Sequence, residues 1–300
     1  DRVGVWTAMT LAIANRSTEA LLALEQVGFS YPDGSIGLAD CSLSILRGSR
    51  NALIGANGSG KTTVFQHTNG LLRPQAGAVR YAGQAIDYSR GGLRRLRSKV
   101  GMVFQNPDRQ LFSASVLEDV SFGPCNLGLD STTVRDRVAA ALHAVGMSSF
   151  ADKAVHHLSF GQKKRVCIAG VLAMEPELLV LDEPMAGLDY RMQEELLAVL
   201  DGLHARGITL LLATHDIDFA YRWADQIHLM RAGRCTASLD AVHLAEYAGE
   251  LSAQGLPLPA VIPLQHGLTA RGLLSREQRP RSCAELLAML EGGQSAAGEK

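Results

Sequence analysis

A glycine-rich stretch from Gly55 to Thr63, with the sequence GANGSGKTT, carries residue types that bind phosphate. Gly58 and Gly60 let the backbone turn so that successive N–H groups point at phosphate oxygens, and Lys61 is placed to reach the β- and γ-phosphates. The hydroxyl of Thr62 is an oxygen ligand of the kind that Mg²⁺ prefers. The spacing therefore predicts a site for the phosphates of a nucleotide with Mg²⁺.

The elements that must position this loop are predicted on either side of it. Asn51 to Ile54 is typical of a strand, and Val64 to Thr68 is typical of a helix. A helix N-terminus favours negative charge because its N–H groups and its dipole point outward. We therefore predict that the whole loop binds the nucleotide, through Gly55, Asn57, Gly58, Ser59, Gly60, Lys61, Thr62 and Thr63.

Two acidic residues follow a second apolar run. Leu178 to Leu181 is continuously apolar, as a strand covered on both faces is, and it leads into Asp182 and Glu183. Asp182 is predicted to hold Mg²⁺ through water, and Glu183 to orient or deprotonate the water that attacks the γ-phosphate. A surface turn before Pro184 is the alternative for an isolated Asp-Glu-Pro, but the phosphate loop favours catalysis.

Strands and helices alternate after the loop, which predicts an α/β fold with a mostly parallel sheet. An antiparallel β section is predicted before the loop, and a helical section over about residues 106 to 170. One predicted strand ends at Gln105 and another at His215. Because ligands bind at the carboxyl edge of such sheets, Gln105, Asp182 and His215 are expected to lie together.

Composition limits the possible partners. The chain has 300 residues, 29 basic and 30 acidic side chains and a formal charge of -1, which argues against nucleic acid as the main partner. Its five cysteines lie far apart without C-x-x-C spacing, so neither a disulfide framework nor a zinc site is indicated. No apolar run approaches the length of about 18 residues that a spanning helix needs.

Three segments are predicted along the chain. Residues 1–20 are expected to be a leader or tag without fixed structure, and residues 21–235 to form the nucleotide-binding domain. Residues 236–300 are expected to be a C-terminal extension with short helices and a disordered end over 292–300.

The combined motifs resemble the ATP-binding cassette (ABC) ATPases over about residues 22 to 235. Beside the phosphate loop and the sequence VLDEP, the chain has LSFGQ at 158–162, like the family's LSGGQ signature, and AGLD at 186–189, like its D-loop. By this resemblance Gln105 would sense Mg²⁺, and His215 would contact the γ-phosphate and steady the attacking water.

Tyr31 resembles the family's aromatic residue that stacks on adenine, with a turn aromatic as the alternative. The resemblance also implies a P-loop NTPase fold of ABC type, with the antiparallel β section and the helical section as subdomains. It implies a homodimer, or pairing with a similar ATPase, arranged head to tail around two ATP molecules.

Each ATP would then contact one subunit's phosphate loop and the other's Ser159, Gly161 and Gln162, together with Asp189 of the D-loop. Ser159 and Gln162 also match a capping box that opens a helix, whose positive end could face the γ-phosphate. Phe160 replaces the first glycine of the signature, which leaves Ser159 and the Gly161 amide in place.

A narrower resemblance rests on residues 104–128 and 161–184, which are similar to the ATPase subunits of energy-coupling-factor importers, most closely those for cobalt. It implies ATP hydrolysis coupled to transport, a membrane T component gripped by residues 106–128, and a separate substrate-binding membrane subunit. The expected location is peripheral, on the cytoplasmic face of the cell membrane. Nickel or a vitamin is an alternative cargo.

Two other classes compete with this interpretation. A soluble cassette ATPase acting on DNA or ribosomes usually has tandem cassettes or long coiled-coil insertions, and this chain has one cassette. A P-loop kinase or GTPase would lack the signature and the D-loop. Both alternatives are therefore less favoured than a transport ATPase.

Overall fold

The computed structural model describes residues 19–275 and 277–297, which form two β-sheets and a set of helices. The strands are β1 (Ala20–Ser30), β2 (Ile36–Leu46), β3 (Arg50–Ile54), β4 (Ala76–Tyr81), β5 (Gln84–Ala85), β6 (Val100–Val103), β7 (Leu178–Asp182), β8 (Thr209–Thr214), β9 (Gln226–Arg231) and β10 (Arg234–Asp240). The α-helices are α1 (Lys61–Thr68), α2 (Arg90–Lys99), α3 (Val116–Asn126), α4 (Ser131–Ala144), α5 (Phe160–Leu172), α6 (Tyr190–Ala205), α7 (Ile217–Trp223), α8 (Ala248–Ala253), α9 (Val261–Ala270) and α10 (Cys283–Ala297).

The larger sheet has the order β10-β9-β3-β8-β7-β6, in which β10 is antiparallel to β9 and the other neighbours are parallel. Strands β7 and β8 are buried along their whole length, which explains why LLVL and TLLLAT are continuous apolar runs. The smaller sheet is antiparallel, with the order β2-β1-β4-β5. The predicted α/β fold is confirmed.

An apolar core joins the two sheets and fixes the helix behind the phosphate loop. Val64 and Phe65 of α1 are both fully buried in this core, together with Leu53 of β3. Burial of each such side chain stabilises the fold by about 2 kcal/mol. The loop between β3 and α1 is therefore held firmly at both ends.

The section between β6 and β7 is helical, as predicted for about residues 106–170. Two of its helices begin with complete capping boxes, formed by Ser115 with Glu118 at α3 and by Ser159 with Gln162 at α5. Each box pairs two backbone N–H groups that would otherwise lack partners at a helix start. The predicted cap of α5 is thereby confirmed.

Segment boundaries differ from the sequence prediction at both ends of the ATPase domain. Residues 1–18 of the expected leader lie outside the described residues, and β1 begins at Ala20. The expected boundary at residue 235 falls inside β10, which pairs with β9 through Asp240. An edge strand with one buried side chain among seven residues has little apolar pattern to reveal it.

The C-terminal end also differs. Residues 292–297, expected to be disordered, continue α10 to Ala297. Residues 298–300 lie outside the described residues.

A buried histidine links β9 to the strand that leads into the phosphate loop. His228 is 1% exposed, and its Nδ1 and Nε2 lie 2.8 Å from Ser238 Oγ and 3.3 Å from Asn51 Oδ1. Burial lowers the pKa of His228 to about 4. The folded state therefore requires the neutral imidazole.

Acidification is expected to weaken the fold through His228. Because its pKa is lower in the folded state, its contribution is complete above about pH 6.5 and is lost as the pH falls toward about 4. The loss by pH 4.5 is roughly 2 to 3 kcal/mol. Urea unfolding at pH 7.5 and 4.5 should show a smaller pH effect in His228→Gln than in the unchanged chain, and equal effects would contradict this role.

Candidate nucleotide site

A cleft of about 470 Å³ lies at the carboxyl edge of the parallel sheet, and most of the predicted site residues line it. Strands β3, β6, β7 and β8 all end there. The predicted residues that it brings together are Tyr31, Asn57, Gly58, Gly60, Lys61, Thr62, Thr63, Gln105, Asp182, Glu183 and His215. The neighbouring Ser35, Ile36 and Gly37, which sequence reasoning missed, also line the cleft.

The phosphate loop needs glycine for steric reasons at two positions. Gly60 has φ +106°, and a Cβ there would lie 2.8 Å from the carbonyl oxygen of Gly37. A Cβ at Gly55 would lie 2.3 Å from the carbonyl oxygen of Met230. Gly55 therefore packs against the sheet and shapes the loop from behind.

Lys61 of the loop has capacity left for an anion. Lys61 Nζ donates to the carbonyl oxygens of Gly55 at 2.7 Å and Ala56 at 3.1 Å, within its own loop. Burial lowers the pKa of Lys61, while Glu183 and Asp182 oppose that change. Ser59 Oγ is buried without a hydrogen-bond partner among the described residues, but Ser59 does not line the cleft. The loop thus fits the phosphate groups of a nucleotide.

Oxygen donors for a cation meet beside this loop. Thr62 Oγ1 donates a hydrogen bond of 3.0 Å to Asp182 Oδ2, and Gln105 lines the same cleft. Burial raises the pKa of Asp182, and the hydrogen bond from Thr62 works against this. A hydroxyl, one carboxylate and an amide fit Mg²⁺, which takes few protein ligands and completes its shell with phosphate and water. Among the described residues, no cluster of three or more His, Cys, Asp or Glu side chains offers a metal site.

The two predicted catalytic side chains contact each other. His215 Nδ1 lies 3.0 Å from Glu183 Oε2, and the Glu183 side chain is 12% exposed whereas that of His215 is 71% exposed. Glu183 has φ +47°, in the left-handed region that a non-glycine residue seldom adopts. The strand-to-turn junction after β7 therefore presents a sheltered carboxylate beside an accessible imidazole.

Tyr31 lies at the rim of the cleft and is held by two contacts. Its hydroxyl is 2.9 Å from Thr63 Oγ1, and its ring packs edge-on against Phe29 with centroids 5.1 Å apart. Adenine stacking by Tyr31 stays a prediction.

The signature and D-loop residues do not line this cleft. Ser159 and Gln162 are engaged in the cap of α5, with Gln162 Oε1 accepting from the Ser159 N–H at 3.0 Å. Gly161 packs near Met192 of α6, and Asp189 caps α6 by accepting from the Met192 N–H at 2.8 Å. One chain therefore does not bring both halves of the predicted site together.

Lys164 is a buried charged residue near the site that sequence reasoning missed. It lies on the face of α5 that also buries Gly161 and Ile168. Lys164 is three residues after Gly161 and four before Ile168, and this helical spacing could have predicted that it is buried.

No helix in the described part of the chain is long and apolar enough to cross a membrane.

The comparisons with known proteins agree with the motifs. A family model described as ABC transporter matches residues 38–186. The energy-coupling factor transporter ATP-binding protein EcfA of Methanothermobacter thermautotrophicus is 43% identical over 84% of this chain and 81% of the relative. The cobalt import ATP-binding protein CbiO of Rhodobacter capsulatus is 44% identical over 91% of this chain and 98% of the relative.

Solved structures show the same similarity. The structure of cbiO1 from Clostridium perfringens, described as part of the ABC transporter complex cbiONQ, has a TM-score of 0.71 and 42% identity, covering 83% of this chain and 99% of that chain. A dimeric post-hydrolysis structure of the ATP-binding cassette MJ0796, bound to ADP and Pi, has a TM-score of 0.67 and 27% identity, covering 73% and 98%. The chain therefore belongs to the ATP-binding cassette family, as an ATP-binding subunit that couples ATP hydrolysis to transport.

Proposed function

We propose that this chain is the ATPase subunit of an energy-coupling-factor importer for cobalt, acting as a dimer on the cytoplasmic face of the cell membrane. The observation that carries the proposal is the continuity between the cleft and an exposed apolar segment. Gln105 lines the cleft, and the segment that follows it exposes Phe112, Leu117 and Phe122. Binding and hydrolysis of the nucleotide would thus shift Gln105 and, through the chain that follows it, a docking surface.

Hydrolysis would use the side chains at the carboxyl edge of the sheet. Lys61 would exchange its loop carbonyl partners for β- and γ-phosphate oxygens, and Thr62, Gln105 and Asp182 would hold Mg²⁺, which neutralises phosphate charge. Glu183 would accept a proton from water as the water oxygen bonds to the γ-phosphorus and the bond to the bridging oxygen breaks. His215 would orient that carboxylate and the γ-phosphate.

A second copy would complete the site. Ser159 is exposed at the N-terminus of α5, outside the chain's own cleft, and this placement supports a shared site. The positive end of α5 would then stabilise the γ-phosphate bound to the partner's loop. The related cassette MJ0796 is dimeric in its structure with ADP and Pi, which supports a dimer here.

The exposed apolar segment fits a helix of a membrane component. Phe112 and Phe122 are 65% and 50% exposed, and their rings pack edge to face with centroids 4.7 Å apart. Leu117, on the first turn of α3, is 41% exposed. Such a cluster of exposed apolar side chains marks an interaction site more often than a solvated surface. We assign it to the T component.

Replacing Phe112 and Phe122 with serine is expected to abolish this docking. When the chain is expressed with the T component and substrate-binding subunit of the same organism, co-purification of the T component should fall at least about 10-fold, because the aromatic anchors of an interface dominate its binding energy. ATPase activity of the isolated chain should change less than about twofold, since neither residue lines the cleft.

Leu273→Ser is the matched control, because Leu273 is 60% exposed in the C-terminal extension. Unchanged co-purification of the double serine variant would refute the docking surface, and co-purification with nucleic acid would favour the soluble class. Uptake of Co²⁺, Ni²⁺ and a vitamin by the assembled importer in vesicles distinguishes the cargo. ATP-dependent uptake of Ni²⁺ or the vitamin without Co²⁺ would overturn the cobalt assignment.

A further inference from the structure

The side chain of Lys164 donates hydrogen bonds only to backbone carbonyl groups, which lie just after β7 at the carboxyl edge of the sheet. It lies one turn inside α5 and is 3% exposed. Its Nζ donates to the carbonyl oxygens of Pro184 at 2.6 Å, Ala186 at 2.7 Å and Glu183 at 3.3 Å. An ammonium group has three N–H donors, so all three are used. A buried charge is normally stable only when hydrogen bonds such as these replace its contacts with water.

A second side chain binds the same turn from the opposite helix. Gln193 of α6 donates through Nε2 to the carbonyl oxygens of Leu188 at 3.0 Å and Met185 at 3.4 Å. Lys164 and Gln193 together therefore bind the carbonyl groups of residues 183–186 and 188. The turn that joins β7 to the D-loop is clamped from two sides.

The clamped turn contains the strained residue. The φ of +47° at Glu183 persists only where the surrounding structure enforces it. Lys164 binds the carbonyl oxygen of Glu183, and His215 contacts its carboxylate. The lysine thus fixes the main chain of the residue whose side chain points at the cleft.

The ring of Phe160 packs over the Lys164 ammonium group and beside Gly187. Its ring lies with its centroid 5.2 Å from Lys164 Nζ, and a Cβ at Gly187 would lie 3.0 Å from its Cε1 atom. The aromatic face stabilises the ammonium group and shields it from water. The signature residue that departs from glycine therefore packs on the D-loop of its own chain.

We propose that Lys164 is a positioning residue for ATP hydrolysis, which holds the backbone of residues 183–186 so that the Glu183 carboxylate faces the γ-phosphate. This inference rests on the proposed role of Glu183. Lys164 does not line the cleft. Its removal should therefore slow the chemical step and leave ATP binding intact.

Lys164→Met keeps the length of the side chain and removes its three donors. We expect kcat for ATP hydrolysis to fall at least about 10-fold while KM for ATP changes less than about threefold. Lys164→Gln supplies two amide donors and should recover part of the loss. If Lys164→Met does not fold, Lys164→Gln alone should still lower kcat without changing KM.

Lys163→Met is the matched control, because Lys163 is the adjacent residue and its contact is a surface ion pair with Asp108 at 2.7 Å. It removes the same charge and should keep kcat within about twofold. A Lys164→Met enzyme with unchanged kcat, or with a fall in kcat matched by the control, would overturn the proposal.

A double-mutant cycle separates this inference from the function on which it rests. If Lys164 acts through Glu183, adding Lys164→Met to Glu183→Gln should lower kcat less than about twofold further. A further fall of about 10-fold would show that Lys164 acts independently and would refute the positioning role. Fast hydrolysis by Glu183→Gln alone would instead refute the role of Glu183.

Discussion

Glu183→Gln is expected to bind ATP as the unchanged chain does and to release phosphate at least about 100-fold more slowly, as befits loss of a key catalytic group. The substitution preserves size and keeps an oxygen that can contact His215. It removes the negative charge that would accept the proton of the attacking water. Because Lys61 rather than Glu183 is proposed to contact the phosphates, nucleotide affinity should persist.

Phosphate release under saturating ATP and calorimetric titration of ATP measure the two quantities separately. Glu194→Gln is a suitable control, because Glu194 is an exposed carboxylate of α6 that does not line the nucleotide cleft. Its phosphate release should remain within about twofold of normal. Near-normal turnover by Glu183→Gln would assign the proton transfer to another group.

The phosphate side of the site was predictable from sequence because its elements are local. Gly55, Gly60, Lys61 and Thr62 lie within eight residues, and their spacing alone identifies the loop, although the helix that follows has only two apolar residues, Val64 and Phe65. Asp182 and His215 are distant in sequence, but Asp182 ends one fully buried strand and His215 follows another, and parallel strands place their carboxyl ends together. The spacing of the motif and the topology of a parallel sheet were therefore sufficient to predict the phosphate side of the site.

The contacts of Lys164 were not predictable in the same way. Sequence places it on a helix, but its three acceptors are main-chain oxygens, which leave no pattern in the side chains of residues 183–186. The left-handed backbone of Glu183 is also invisible, because a non-glycine residue gives no sign of it. β10 was missed for a related reason, since an edge strand buries few side chains.

The second large effect is expected from the proposed nucleotide site that two chains share. Lys61→Ala removes the ammonium group proposed to bind phosphate but leaves the signature, and Ser159→Arg blocks the signature but leaves the phosphate loop. If each ATP contacts both features on different chains, either variant alone should retain less than about 1% of normal hydrolysis. Because Ser159 is exposed, an arginine side chain can extend into solvent there. Loss of the serine cap should lower the stability of the fold by about 1 kcal/mol.

Mixing the two variants should restore activity. In a mixed dimer, the intact phosphate loop of the Ser159→Arg chain meets the intact signature of the Lys61→Ala chain, which gives one working site and one doubly blocked site. Random pairing makes half of the dimers mixed, so an equal mixture should reach up to about a quarter of the normal rate if the two sites act independently.

Two affinity tags allow the mixed dimers to be isolated, so that a failure to pair is distinguished from a failure to hydrolyse. Isolated mixed dimers should then hydrolyse ATP at up to about half the normal rate, since one of two sites works. Mixed dimers as inactive as either parent would show that the phosphate loop and the signature must belong to the same chain. Full activity of Ser159→Arg without mixing would show that the signature does not contact the nucleotide.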